Sequence, residues 1–291
     1  MSRSLRVGKV NFINTLPIFY PLESGAVQHD FSIVEDSPAV LNSMLAAGEL
    51  DLGLVSSVEY ARRFEAYWLL PGLSLSCTTQ IGSVLLLSRL PLQELHGREV
   101  LLTPKSHTSV ALLKLLLSRR FSVEPCYRVA DYHSADCRWP ERVAAVLAIG
   151  NDALRLRKEW GLKLVLDLGG AWNQWTGHSF VFALWAVRRE AVAEGDGSIR
   201  RAFAALLEAR DYGLRHLDEI AEVAGGCPWF SSSESFQYLR SIRYDLNADK
   251  LAGLRLFFDM LYESGEVKRR VPLNFLPDAR EVEKRCDRGW G

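Results

Sequence analysis

The chain has 291 residues, of which 48% are hydrophobic and 24% charged, a composition typical of a soluble globular protein. Lys and Arg together number 35, as do Asp and Glu, so no excess charge would draw the protein to nucleic acid or to an anionic membrane. The length is enough for about two compact units. The sequence shows no apolar signal-peptide segment and no membrane-spanning stretch, so we expect a cytoplasmic protein.

The first segment, residues 5–17, predicts a short buried strand that ends at a polar residue. Its apolar positions extend from Val7 to Ile13, Asn14 follows, and Pro17 prevents the strand from continuing. Ligands of α/β folds bind at the carboxyl ends of parallel strands, so Asn14 is a candidate ligand contact. The alternative is that Asn14 only caps the following turn, since Asn and Pro are common turn residues.

Strands and helices alternate in the next part of the chain. Strands are predicted at residues 31–35, 51–55 and 84–88. A helix that begins at Pro38 and stops at Gly48 lies between the first two. This alternation predicts a parallel sheet with helices on its faces. Ser56 and Ser83 lie at strand ends, where each hydroxyl would either donate to a ligand or bond the local backbone.

A second alternating region follows and then gives way to helices. Further strands are predicted at residues 99–103, 144–149, 162–166 and 180–187, and helices at residues 199–217, 217–224, 233–239 and 251–262. We therefore predict an α/β fold with two lobes, in which residues 89–175 are inserted into a first lobe formed by residues 1–88 and 176–291. Ligands commonly bind in the cleft between such lobes.

Residues 106–109 form a polar turn before a strongly apolar helix predicted over residues 110–117. The free backbone N–H groups of a helix start, together with the hydroxyls of Ser106, Thr108 and Ser109, form a cradle for a carboxylate or phosphate. The alternative, which is compatible with the first, is that Ser106 or Thr108 caps the helix. We expect His107 to be exposed to solvent.

Gly150 and Asn151 follow the buried strand predicted at residues 144–149 and are further candidates for ligand contact. Asn151 is alternatively a turn residue, because Asn tolerates the left-handed backbone conformation. The sequence contains no nucleophile elbow, phosphate-binding loop or dinucleotide-binding fingerprint, which disfavours hydrolase, NTPase and dinucleotide-binding functions.

The five cysteines are scattered, so a disulfide framework is not expected. Cys126, His133 and Cys137 are close in sequence, but they lack the paired spacing of a zinc site and a fourth ligand. We therefore predict free thiols and no metal.

Taken together, the segments resemble the chorismate dehydratase family of menaquinone biosynthesis. The matching segments are residues 6–17, 51–60, 82–88, 108–110, 149–150, 167–169, 175–177, 180–185 and 238–244. No single segment is diagnostic, but the ordered set covers nearly the whole chain and is specific. The resemblance implies a periplasmic-binding-protein-like fold of type II without export.

The resemblance also implies a function. The family dehydrates chorismate to 3-enolpyruvylbenzoate in the futalosine route to menaquinone, without a metal or an organic cofactor. Its ligand-binding positions fall on Asn14 and Ser83, and its carboxylate pocket on the turn at Thr108 and Ser109. The expected partner is therefore a small molecule, with no nucleic acid and no membrane, and the protein is expected to be a monomer or a homodimer.

Two departures from the family pattern leave individual roles open. The family usually has Gly-Asp after the buried strand, whereas here Gly150 is followed by Asn151. It usually has Leu-Pro after the Trp-Thr-Gly segment, whereas here His178 and Ser179 occupy those positions. No matched segment contains an obvious catalytic base.

Three other functions are compatible with a two-lobed architecture. A non-catalytic solute- or carboxylate-binding protein is disfavoured by the lack of an export signal. The sister enzyme of the pathway, which releases dihydroxynaphthoate from a cyclic futalosine derivative, fits the Trp-Thr-Gly and Ile-Arg-Tyr segments less well. The effector domain of a regulator is disfavoured because no DNA-reading helix pair is attached.

Overall fold

The computed structural model describes residues 4–130, 139, 142–161, 164–193, 197–226, 230–277 and 279. Its strands are β1 (Arg6–Val10), β2 (Ser32–Asp36), β3 (Leu52–Ser56), β4 (Tyr67–Cys77), β5 (Val84–Ser88), β6 (Glu99–Leu102), β7 (Cys126–Val129), β8 (Ala145–Ile149), β9 (Leu164–Asp167) and β10 (Phe180–Arg188). Its α-helices are α1 (Leu16–Glu23), α2 (Pro38–Ala47), α3 (Ser57–Arg63), α4 (His107–Leu115), α5 (Gly150–Trp160), α6 (Leu168–Thr176), α7 (Arg189–Ala193), α8 (Ser198–Arg215), α9 (Leu217–Ala224), α10 (Ser232–Ser241) and α11 (Ala248–Glu263).

The described strands form two five-stranded sheets, which confirms the prediction of a two-lobed α/β fold. The order is β2-β1-β3-β10-β4 in the first sheet and β7-β6-β8-β5-β9 in the second. Each sheet is mixed rather than parallel throughout. In the first sheet β1 is parallel to β2 and β3, whereas β10 is antiparallel to β3 and β4. In the second, β6 is parallel to β7 and β8, whereas β5 is antiparallel to β8 and β9.

The strand at Val84–Ser88 lies in the second sheet, not in the first as the predicted boundary at residue 88 placed it. Its residues pair with β8 and β9, for example Val84 with Ile149 and Leu85 with Asp167. The chain therefore changes sheet between β4 and β5, and it returns between β9 and β10. The sequence pattern gave no sign of this, because a strand buried on both faces is apolar at every position in either sheet.

The beginning of the chain also differs from the expectation. Strand β1 ends at Val10, and a 3-10 turn at Ile13–Thr15 leads directly into α1. Pro17 lies in the first turn of that helix, where a missing backbone N–H costs nothing because no helical partner exists there. Asn14 thus lies in a turn between a strand and a helix rather than at the end of a longer strand.

Helices cover both sheets and bury their central strands. Helix α11 packs on β10 of the first sheet, and α5 packs on β8 of the second. The four predicted helices of the carboxyl-terminal part are confirmed as α8, α9, α10 and α11, whereas α1, α5, α6, α7, β4 and β7 were not predicted. No helix in the described part of the chain is both long enough and apolar enough to cross a membrane.

Candidate active site

A cavity opens between the two sheets where several strands end. It holds about 800 Å³ of empty space, a volume that includes space open to solvent. Six of the candidate residues predicted from the sequence line it, namely Asn14, Ser56, Ser83, Ser106, Ser109 and Gly150. Much of the remaining wall is apolar and includes Phe12, Leu54 and Phe182. An apolar cavity with a few convergent polar groups is the usual form of a small-molecule site.

Asn14 presents an unpaired acceptor in this wall. The residue is 8% exposed, and its side-chain oxygen has no hydrogen-bond partner within the protein. Its backbone carbonyl accepts a hydrogen bond of 2.9 Å from the Tyr244 hydroxyl, which fixes the turn. Buried polar atoms are nearly always paired, since leaving one unpaired is costly. The exception at Asn14 marks a position where a ligand donor would be accommodated.

Ser83 lies beside Asn14 and is bonded to a buried tyrosine. The Tyr238 hydroxyl, on α10, donates to Ser83 Oγ over 2.8 Å. Burial raises the pKa of Tyr238 to about 12, although the neighbouring Ser83 and Asn14 side chains act in the opposite direction. The tyrosine therefore remains protonated at neutral pH. Tyr238 lies in one of the segments that resemble the family, but no local sequence pattern marks it as part of the site.

One carboxylate holds the segment that carries Ser83. Asp167 Oδ2 accepts from the backbone N–H groups of Ile81 at 3.1 Å and Gly82 at 2.7 Å, and Oδ1 accepts from that of Gly170 at 2.9 Å. The carbonyl oxygen of Ser83 accepts from the N–H of Gly150 at 2.7 Å. Ser83 is thus fixed from both sides at the point where the chain enters the second sheet.

The start of α4 forms the opposite part of the wall. Ser106 caps this helix, since its Oγ accepts from the backbone N–H of Ser109 over 3.2 Å, and the two hydroxyl oxygens lie 2.9 Å apart. The first N–H groups of a helix have no partner within the helix. Lys105 and His107 also line the cavity, and Lys105 Nζ lies 3.3 Å from Asp152 Oδ2. This side of the cavity therefore combines hydroxyls, helix N–H groups and a cation, a suitable set for a carboxylate.

His107 is exposed to solvent, as expected, but it also lines the cavity. Partial burial lowers its pKa below the ordinary 6.5, and the nearby Arg62 guanidinium acts in the same direction. Glu59 and Glu266 oppose this effect. The imidazole is therefore neutral at pH 7.

The side chains of Thr108 and Asn151 bond the backbone of neighbouring elements and do not face the cavity. Thr108 Oγ1 accepts a hydrogen bond of 2.9 Å from the backbone N–H of Val58, which ties α4 to α3. Asn151 Oδ1 accepts one of 3.3 Å from the backbone N–H of Ile13. Neither residue lines the cavity, although both adjoin residues that do. Ser56 has a double role, because it lines the cavity and caps α3 by accepting from Glu59 N–H over 3.2 Å.

His178 lies away from the cavity. Its Nδ1 is 3.1 Å from Asp249 Oδ1, and 39% of its side chain is exposed. Hydrogen bonds from Ser179 and from His178 lower the pKa of Asp249. The pair joins the start of β10 to α11.

No group of three or more His, Cys, Asp or Glu residues in the described ranges is arranged to hold a metal ion. Of the three residues considered for zinc, Cys126 is exposed with a free thiol. His133 and Cys137 lie outside the described residues.

A comparison with protein families shows to which family this chain belongs. The model of a family described as menaquinone biosynthesis matches residues 5–263. The chain belongs to this family. A relative, the chorismate dehydratase of Thermus thermophilus, is 32% identical over 270 residues, which cover 88% of this chain and 94% of that protein. The resemblance predicted from the ordered motifs is confirmed.

Solved structures support the fold of this family member. A protein from Archaeoglobus fulgidus superposes with a TM-score of 0.73 at 20% identity, covering 91% of this chain and 98% of that one. The periplasmic aliphatic sulphonate binding protein of Escherichia coli superposes with a TM-score of 0.66 at 17% identity, covering 95% and 92%. At these identities the likeness concerns the fold alone, and it confirms the periplasmic-binding-protein-like architecture.

Proposed function

We propose that this member of the menaquinone biosynthesis family is a chorismate dehydratase, a carbon–oxygen lyase that converts chorismate to 3-enolpyruvylbenzoate by elimination of water. The family match over most of the chain and the 32% identity to a protein of that name support the proposal. We assign it to the futalosine route and to the cytoplasm, with a small-molecule substrate and no metal or organic cofactor. Either a monomer or a homodimer is compatible with this role.

The unpaired side-chain oxygen of Asn14 is the observation that best supports a substrate of this kind. Chorismate carries a ring hydroxyl, which donates a hydrogen bond, and two carboxylates, which accept them. Asn14 would orient the hydroxyl. Ser83 and the start of α4, with Ser106 and Ser109, would anchor the carboxylates, assisted by the charge of Lys105.

Thr108 would contribute through its backbone N–H at the start of α4, since its hydroxyl already bonds Val58. The site would be completed by one residue at the end of a strand of the first sheet, Ser56, and two that follow a strand of the second, Gly150 and Asn151. Ser56 and Gly150 would form part of the wall. Asn151 would hold the adjacent turn through Ile13.

The reaction removes the ring hydroxyl and the hydrogen on the neighbouring, ether-bearing carbon, and the ring becomes aromatic. The electrons of the broken C–H bond spread through the ring double bond into the ring carboxylate. Donors fixed on that carboxylate would stabilise the charge as it develops, without reorganising during the reaction. The elimination then expels the hydroxyl, and the proton that was removed from the ring carbon completes the departing water.

The substrate itself would accept the proton. Of the described residues that line the cavity, none is Asp or Glu, and the titratable ones are Lys105 and His107. The enolpyruvyl carboxylate of chorismate is close to the hydrogen to be removed. Aromatisation provides much of the driving force, so positioning by the cavity would suffice for a weak base to act.

Incubation of the purified protein with chorismate tests this function. We expect the absorbance of chorismate to decrease while a product 18 mass units lighter accumulates, since one water is lost per turnover. A well-folded protein that binds chorismate without turnover would instead be a carboxylate-binding protein. Release of dihydroxynaphthoate from a cyclic futalosine derivative would identify the sister enzyme. Either outcome would contradict the proposal.

A further inference from the structure

We propose that Tyr238 is a positioning residue that sets the direction of one hydrogen bond to the substrate. It makes Ser83 a donor. This assignment deepens the function proposed above and rests on it. Tyr238 lies on α10, and its hydroxyl bonds Ser83, the residue that precedes β5.

The contact of the Tyr238 hydroxyl determines where its hydrogen points. The tyrosine donates its single hydrogen to Ser83 Oγ over 2.8 Å. A hydroxyl has one hydrogen to donate and lone pairs that accept. Ser83 Oγ is therefore the acceptor in this bond.

The hydrogen that Ser83 can still donate follows from this bond. Ser83 Oγ already accepts from Tyr238, so its own hydrogen is left for an acceptor in the cavity. Hydrogen-bonded hydroxyls also polarise one another, which makes Ser83 a better donor than an isolated serine.

This direction matches a group of the proposed substrate. A carboxylate is an acceptor and would bind at Ser83. Without Tyr238 the Ser83 hydroxyl would be free to rotate and to direct its hydrogen away from the cavity.

A double-mutant cycle tests whether Tyr238 acts through Ser83. The variants are Tyr238→Phe, Ser83→Ala and the combination, and the measured quantity is the Kd for 3-enolpyruvylbenzoate by calorimetry, which needs no turnover. Hydrogen bonds to charged groups predict that each single change weakens binding about 10-fold or more. We expect the double variant to bind no more weakly than the weaker single variant. Additive effects, or wild-type affinity in Tyr238→Phe, would overturn the proposal.

Turnover of chorismate tests the same arrangement during the reaction. We expect Tyr238→Phe to lower kcat/KM about 10- to 100-fold, with a decrease in kcat beyond the change in KM. A value of kcat equal to that of the wild type would contradict this role. If the wild type itself does not dehydrate chorismate, the proposed function fails, and the binding cycle still decides whether Tyr238 directs Ser83.

Tyr60 provides a matched control. It is a buried tyrosine whose hydroxyl donates to the carbonyl of Pro272 over 2.8 Å, outside the cavity. Tyr60→Phe should change neither Kd nor kcat, while thermal unfolding reports the cost of deleting a buried hydroxyl. Should Tyr238→Phe not fold, 3-fluorotyrosine at position 238 retains the shape and strengthens the donor. A changed Kd would then support the proposal, and an unchanged Kd would overturn it.

Discussion

Asn151 Oδ1 accepts a hydrogen bond from the backbone N–H of Ile13, and this bond joins the two sheets beside the cavity. Ile13 belongs to the turn after β1, whereas Asn151 is the second residue of α5, which follows β8. A second bond of this kind leads from the N–H of Val58 to the hydroxyl of Thr108. Each bond lies next to a cavity residue, so together they set the distance between the two walls.

Asn151→Ala should therefore weaken substrate binding more than it slows the chemical step. The loss of one hydrogen bond is expected to cost about 1 kcal/mol of unfolding free energy. We expect KM for chorismate to rise several-fold while kcat stays close to the wild-type value. Asn173→Ala is a suitable control, since Asn173 makes a comparable bond to the carbonyl of His178 and does not line the cavity. A larger decrease in kcat than in affinity would instead place Asn151 at the reacting groups.

Asn14→Ala should abolish most turnover and leave the fold intact. The side-chain oxygen of Asn14 has no partner in the protein, so removing this atom breaks no hydrogen bond within the fold. Loss of one polar contact at the reacting atoms typically lowers kcat about 10²- to 10³-fold. Steady-state kinetics and thermal unfolding of the same preparation measure both effects. Near-normal turnover would refute the role of Asn14.

The sequence predicted several polar positions of the cavity wall, because ligands of α/β folds bind near strand ends and helix starts, where polar residues interrupt the apolar pattern. Asn14 and Ser83 were predicted next to strands and Ser106 in the turn before α4, and all three line the cavity. It could not predict Tyr238, since that residue reaches the site from α10 through a contact that no local pattern encodes. Nor could it predict that Thr108 points away, because a helix start has polar residues for capping and for packing alike.

His178→Leu should retain activity within a few-fold of the wild type. The imidazole lies just before β10, bonds Asp249 of α11 and does not line the cavity. The variant also restores a residue type that the family usually has at this position. A loss of several orders of magnitude in kcat would identify His178 as the base and would contradict proton transfer to the substrate.

Ser106→Ala should affect both stability and binding. The hydroxyl caps α4, and loss of such a cap typically costs about 1 kcal/mol of unfolding free energy. It also faces the cavity, so we expect a higher KM for chorismate. Asn247→Ala is the matched control, because Asn247 caps α11 with a bond of the same length, 3.2 Å, outside the cavity. Equal effects of the two variants on KM would show that Ser106 acts only as a cap.

His107 should make the stability of the protein depend on pH in the mildly acidic range. Burial lowers its pKa in the folded state below 6.5, so the unfolded chain binds a proton first as the pH decreases. The stability that the neutral His107 imidazole contributes is at its full value above pH 6.5. It is lost as the pH falls through the pKa that His107 has in the folded state. We expect the Tm of the wild type to decrease more between pH 7.5 and 5 than that of His107→Gln. Parallel curves would show that His107 is not responsible.

Asp167 has a consequence for both connections between the two sheets. Through Ile81 and Gly82 it binds the segment by which the chain enters the second sheet, and it is itself the last residue of β9, after which α6 leads back towards β10. One carboxylate therefore stabilises the chain where it enters the second sheet and where it begins to leave. Removing this carboxylate would loosen both connections at once, next to the part of the cavity wall that Ser83 forms.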